Sequence, residues 1–133
     1  MAKVVGIGGV FFHAKDPAGL RRWYEDHLGF PENTEGHPSA VFPLGPAVGG
    51  NPNSYAVWGP FAEGTDYFSP SKKPFMINFL IDDLKGLIAD LKSKGIEVLG
   101  HEEDPQFGDF AWIIDPEGTK VELWQAPLTP PGS

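Results

Sequence analysis

The sequence predicts an α+β fold of two βαβββ modules, on three observations. An apolar strand, a capped helix and further strands pass along the chain twice. The helix caps and apolar faces of the two runs coincide at a shift of about 66 or 67 residues. Asp16 then meets Asp82 or Asp83, Leu20 meets Leu87, Tyr24 meets Leu91 and Gly29 meets Gly95. At the end of each run, Tyr55-Ala56-Val57-Trp58 lies over Val121-Glu122-Leu123-Trp124. One matched helix could arise by chance, but caps, apolar faces and a final strand matching together point to a repeated unit.

Each element has a local reason. Residues 3–13, rich in Val, Ile and Phe, read as the first strand. Asp16 is placed as a helix N-cap, and Pro17 in the first turn gives up an N–H that would have no helical partner. Leu20, Trp23, Tyr24 and Leu28 follow helical spacing, and Gly29 stops the helix. Short strands are predicted at 40–44 and 54–61, separated by a Gly-, Pro- and Asn-rich loop over 44–53. Residues 63–74 form a polar connector with Ser69-Pro70-Ser71-Lys72-Lys73-Pro74 at its end. The pattern then restarts with a strand over 75–81. Asp82 or Asp83 caps a helix whose apolar face is Leu84, Leu87, Ile88 and Leu91, and Gly95 ends it. Strands at 96–99, 107–114 and 120–125 follow, the last two joined by a turn at Asp115-Pro116-Glu117-Gly118.

Composition bounds the function. The 133 residues are 41% apolar, which suits one domain over 1–128 with a real core. Module 1 is expected over about 4–62 and module 2 over about 74–127, with a disordered tail at 129–133. A net charge of -8 argues against nucleic acid and anionic membrane surfaces as partners. With no cysteine, disulfides, thiolate metal sites and Cys nucleophiles are excluded. No apolar run is long enough to span a bilayer, and no secretory signal pattern opens the chain, so a cytoplasmic location is the default expectation. Gly6-Ile7-Gly8-Gly9 precedes no helix at the spacing a phosphate-binding loop needs.

Asp16-Pro17-Ala18-Gly19-Leu20 leading to Trp23-Tyr24 and Leu28-Gly29-Phe30 forms one set of local motifs. Gly108-Asp109-Phe110-Ala111-Trp112 followed by Asp115-Pro116-Glu117-Gly118-Thr119-Lys120-Val121-Glu122-Leu123-Trp124 forms a second. With the repeat, they make residues 5–127 resemble the vicinal-oxygen-chelate superfamily of glyoxalases, bleomycin-resistance proteins and extradiol dioxygenases. The resemblance implies sheets curled around a cleft, completed within one chain or across a homodimer. It also implies where a metal would sit, at Gly9, Ala56, Met76 and Glu122. Of these only Glu122 suits a hard divalent ion; Met76 offers a soft thioether, and Gly9 and Ala56 offer nothing. No metal cofactor is therefore expected.

Glu122 carries the sharpest alternatives. A buried carboxylate is costly, so it either serves a ligand or acts as a general base, or it is an inherited position paired to Lys or water. His13, at the end of the first strand, is either a base or polar contact at the cleft edge or a surface side chain satisfied by solvent or Asp16. His27 is read as favouring its helix C-terminus, His37 as a candidate for a pocket border, and His101 as part of a solvated acidic loop with Glu102, Glu103 and Asp104. Phe11, Trp58, Phe75, Phe79, Phe110, Trp112 and Trp124 divide by strand alternation between core and cleft. The resulting expectation is a small apolar or cationic ligand in an aromatic cleft, contacted by His13, Trp58, Met76, Trp112, Glu122 and Trp124. The alternatives are a metal-dependent lyase, isomerase or dioxygenase, and a metal-free enzyme with Glu122 as its base.

Overall fold

Two strands at the centre of the molecule decide its architecture. A computed structural model of the chain describes residues 2–31, 36–47 and 49–127. In it β1 (Val4–Ala14) and β4 (Phe75–Ile81) pair antiparallel, Phe11 opposite Met76 and Gly9 opposite Asn78. This pairing joins both halves into one curled sheet of order β2-β3-β1-β4-β7-β6-β5, so the modules associate within the chain. The other elements are α1 (Pro17–Leu28), β2 (Ala40–Pro43), β3 (Tyr55–Ala62), α2 (Leu84–Ser93), β5 (Gly100–Asp104), β6 (Gly108–Ile114) and β7 (Lys120–Gln125). No helix among the described residues is long and apolar enough to cross a membrane. The tail expected to be disordered lies outside the described residues.

Both helices form for the reasons the sequence suggests. The Asp16 carboxylate accepts from the Gly19 N–H at 3.0 Å, and Gly29 closes α1 in the left-handed conformation at φ 69°. Asp83 rather than Asp82 caps α2, accepting from the Gly86 N–H at 3.1 Å. Asp82 instead accepts from the Lys3 N–H at 2.8 Å and ties the first residues to the end of β4. The α2 face packs Leu84 and Ile88 on Ile81, Ala111, Val121 and Leu123. Burial of each larger aliphatic side chain in this cluster stabilises the fold by about 1.5–3 kcal/mol.

Two strand expectations are corrected. Residues 96–99 are not a strand; β5 begins at Gly100 and runs through His101, Glu102, Glu103 and Asp104, so the expected acidic loop is an edge strand. Charged side chains on an exposed edge discourage pairing with another chain. In module 1 only β2 and β3 follow the helix among the described residues, where three strands were expected. The carbonyls of Pro31, Pro38 and Ser39, which a ladder would use, accept instead from the buried guanidinium of Arg21. Arg21 also pairs with Glu25 at 3.0 Å.

Strand alternation separates two faces of the sheet. Phe79, Ile81, Ala111, Ile113, Val121 and Leu123 face α2. On the other half Phe12 and Trp58 join Tyr24 and Phe30 of the α1 region, Trp58 lying 4.8 Å from Tyr24 and 5.1 Å from Phe30. The opposite, inner face carries Phe11, Phe61, Met76, Asn78, Leu80, Phe110, Trp112, Glu122 and Trp124.

Candidate functional site

At the middle of the inner face, parallel pairing of β4 with β7 sets Asn78 beside Glu122, and antiparallel pairing of β6 with β7 sets Trp112 on its other side. Glu122 is 3% exposed. Its Oε1 accepts from the Asn78 amide at 2.6 Å. Its Oε2 accepts from the Trp112 indole N–H at 2.8 Å and the Tyr67 hydroxyl at 2.5 Å. Three neutral donors thus converge on one buried charge, and bonds of this kind are among the stronger hydrogen bonds in proteins. Burial first, then the negative charge of Glu122, pushes the Tyr67 hydroxyl far above the ordinary tyrosine range, so it stays protonated as a donor.

Lys120, two residues before Glu122 on the same strand face, does not bond to it. Its ammonium donates to the Tyr67 carbonyl at 2.7 Å and lies over the Tyr67 and Trp112 rings at 5.2 and 5.7 Å. Burial draws Lys120 below the ordinary lysine value, partly offset by the charges of Glu122 and Asp66.

The Tyr67-Phe68 step of the connector closes the space over this network. Phe68 is 2% exposed and packs with Met76, Trp112, Phe11 and Phe61. Its ring stacks on His13 at 4.9 Å and 6° and meets Phe61 edge-on at 5.3 Å. The Nε2 of His13 is buried and has no partner among the described residues. The Oδ1 of Asn78 is in the same position, because its amide group is committed to Glu122. That oxygen points at Gly8, where an added Cβ would lie 2.4 Å from it and 2.9 Å from the Trp124 ring. A cavity of about 150 Å³ lies at another part of the molecule, lined by Val5, Gly49, Asn51, Ser54, Leu80 and Gln125.

The structure brings His13, Met76, Trp112, Glu122 and Trp124 to the inner face. Trp124 is 2% exposed, stacks on Phe110 at 5.9 Å, and donates its indole N–H to the Phe107 carbonyl. Trp58 does not join them, since it packs in the α1 cluster. Parallel pairing sets Val57, not Ala56, beside Gly9, just as it sets Glu122 beside Asn78. His13 stacks on Phe68 rather than meeting Asp16, whose carboxylate serves the α1 cap.

The remaining histidines lie elsewhere. His27 is exposed and stacks on Trp23 at 4.6 Å, its Nδ1 2.8 Å from the Trp23 carbonyl oxygen. His37 is exposed. His101, Glu103 and Asp109 bring one ligand atom each within 4.8 Å of one another on the β5–β6 hairpin, and Lys85 pairs with Glu103 at 3.4 Å.

Sequence reasoning passed over Tyr67, Phe68, Asn78 and Lys120. Asn78 had a signal, being a lone amide inside the apolar run of β4 that must find a buried partner. Tyr67-Phe68 also had one, since adjacent aromatics in a polar connector need a surface to dock on.

No family model matches the sequence, and no curated protein does. Solved structures do. A methylmalonyl-CoA epimerase variant from Streptomyces coelicolor, in complex with 2-nitronate-propionyl-CoA, superimposes with a TM-score of 0.65 at 17% identity, over 93% of this chain and 99% of that one. Methylmalonyl-CoA epimerase from Mycobacterium tuberculosis gives 0.59 at 20% identity, over 93% and 89% of the two chains. A glyoxalase/bleomycin resistance protein/dioxygenase superfamily member from Vibrio splendidus 12B01 gives 0.55 at 14% identity, over 94% and 99%. The chain therefore has the vicinal-oxygen-chelate fold.

Proposed function

We propose that this protein binds a small molecule on the inner face of its sheet and does so without a metal ion. The observation that supports the reading is the commitment of Glu122. Both its oxygens accept from neutral donors on Tyr67, Trp112 and Asn78. A divalent ion there would have to displace these donors and would find one carboxylate. Gly9 and Val57 offer no ligand atom, Met76 offers a soft sulfur, and the Asn78 oxygen points at Gly8 while its amide N–H is held by Glu122. The fit to a hard divalent ion is poor, and no chemistry through one is assigned.

The general-base alternative is weaker for the same reason. A carboxylate holding three hydrogen bonds behind Tyr67 has no free approach to a substrate proton in this conformation. The aromatic walls from Phe11, Phe61, Phe110 and Trp112 suit an apolar or flat ligand. The acidic balance of the chain suits a cationic one. A homodimer belongs to the same proposal. Ile7, Val10 and Phe75 lie exposed on the outer face of β1 and β4, an apolar surface that a second copy would cover.

The test is metal analysis of protein purified without chelators, followed by titration with aromatic and cationic small molecules read by Trp fluorescence. Substoichiometric metal and a saturable response are expected. Stoichiometric metal held at Glu122, or turnover dependent on it, would overturn the reading.

A further inference from the structure

The ring of Phe68 fills the inner face beside Glu122, where a bound molecule would reach the only buried carboxylate among the described residues. We infer that this place is the ligand seat, that Phe68 is its internal occupant, and that the seat takes a planar aromatic molecule carrying an N–H or O–H donor. The inference rests on the small-molecule reading above and names its ligand class.

The shape of the seat comes from what holds Phe68. One side is the flat imidazole of His13, stacked at 4.9 Å and 6°. Another is the Phe61 ring, met edge-on at 5.3 Å. A planar ring fits both contacts, and a bulky aliphatic group fits neither.

The polar groups give the second half of the ligand. A phenyl ring gives His13 Nε2 nothing to bond, and that nitrogen has no partner among the described residues. Buried polar atoms are seldom left unpaired in a native interior. When the other ring nitrogen carries the proton, Nε2 accepts from an N–H or O–H. Departure of Tyr67 with Phe68 would also free one acceptor site on Oε2 of Glu122. Both vacated positions call for a donor on the incoming molecule.

The occupant is attached in a way that permits exchange. Phe68 belongs to the connector between β3 and β4, not to a strand, so leaving the seat breaks no ladder bond. Side-chain latches hold the segment down: Tyr67 to Glu122, Lys120 to the Tyr67 carbonyl, and Lys73 to the Thr119 hydroxyl at 2.8 Å. Segments held by few side-chain bonds open more readily than paired strands.

The experiment is hydrogen–deuterium exchange and calorimetry on the full chain as wild type, Tyr67→Phe and Lys120→Gln, with and without benzamidine, and with cyclohexylmethylamine as the non-aromatic control. Benzamidine should speed exchange over residues 65–73 in the wild type while β4 and β7 keep their protection. Each variant should bind it about tenfold more tightly, because a larger open fraction raises apparent affinity. The control amine should bind at least about tenfold more weakly than benzamidine. Lys120→Gln leaves the Glu122 donors in place and carries the test if Tyr67→Phe does not fold. Equal affinity in all three proteins, or connector exchange that always matches β4 and β7, would overturn the inference. Benzamidine binding to wild type with no change over 65–73 would place the ligand elsewhere, sinking the inference and leaving the binder reading intact. Absence of benzamidine binding in all three proteins, together with no saturable response in the titration with aromatic and cationic molecules, would remove both.

Discussion

The Tyr67 hydroxyl meets Oε2 of Glu122 at 2.5 Å, joining the connector between the modules to the last strand of the sheet. The two residues are 55 positions apart in the chain and are brought together by the assembled sheet. It makes the connector part of the interior and makes Glu122 a structural acceptor in this conformation.

Removing that donor should be costly. Tyr67→Phe keeps the ring and leaves Glu122 with one fewer partner while still buried. Hydrogen bonds to charged groups contribute about 1.5–3 kcal/mol, and the variant should lose stability in that range. Urea unfolding followed by circular dichroism measures it. A loss below about 0.5 kcal/mol would mean that water reaches Glu122 readily.

Alkaline pH should reveal the same bond. Burial, the charge of Glu122 and the hydrogen bond to it raise the Tyr67 hydroxyl in the folded protein above its ordinary value of 10.0. The folded state therefore holds this proton more tightly than the unfolded state does. The associated stability is complete below about pH 10 and is lost as pH rises above it towards the folded value. Wild type should lose stability above pH 10 more steeply than Tyr67→Phe. The slope difference stays below about 1.4 kcal/mol per pH unit, the ceiling for one proton, and solvent screening of a partly exposed group limits the total loss. Tyr55, also raised by burial and by Asp104, is present in both proteins and cancels in the comparison. Parallel urea midpoints from pH 9 to 11 would contradict the assignment.

Much of the fold was legible because each helix carries its own punctuation. Asp16, Pro17 and Gly29 bound α1, and β4 and β7 run over the predicted residues. The site was less legible, and Trp58 and Trp124 show why. They align in the repeat, yet Trp58 packs beside Tyr24 on the helix side while Trp124 packs beside Leu80 on the inner side. A strand alternates faces at every residue, so a register error of one position reverses every assignment along it. Sequence similarity between the halves carries no correction for that slip. Residues 96–99 were misread for another reason: apolar content alone makes no strand, and the ladder to β6 settles on the charged stretch after Gly100. Tyr67 and Phe68 reach the site by long-range docking, which no local pattern encodes.

The separation of the tryptophans gives a spectroscopic prediction. A ligand on the inner face should perturb Trp112, whose indole N–H is bonded to Glu122. It should leave Trp58 untouched on the other side of the sheet. Trp58→Phe should therefore keep the ligand-induced fluorescence change, and Trp112→Phe should lose most of it. The reverse pattern in a titration would move the binding surface to the α1 side.

A last prediction concerns rebuilding a metal ligand set. Gly9 stands at a position where the family resemblance implies a ligand, and the obvious experiment is Gly9→His. An added Cβ at Gly9 would meet the Val57 carbonyl at 3.0 Å and the Phe11 ring at 3.1 Å, tighter than ordinary packing before any imidazole is attached. The inner face beyond it is filled by Phe11, Phe61 and Phe68 around Met76. Forcing a larger side chain into such packing costs about 1–3 kcal/mol. Gly9→His should thus lower thermal stability and gain no tight zinc binding by calorimetry. Adding Phe68→Ala should lower stability further rather than restore it, because truncating a buried Phe costs about 3–5 kcal/mol. Nanomolar zinc affinity in the single variant would mean that the inner face is far more open than the packing around Phe68 implies.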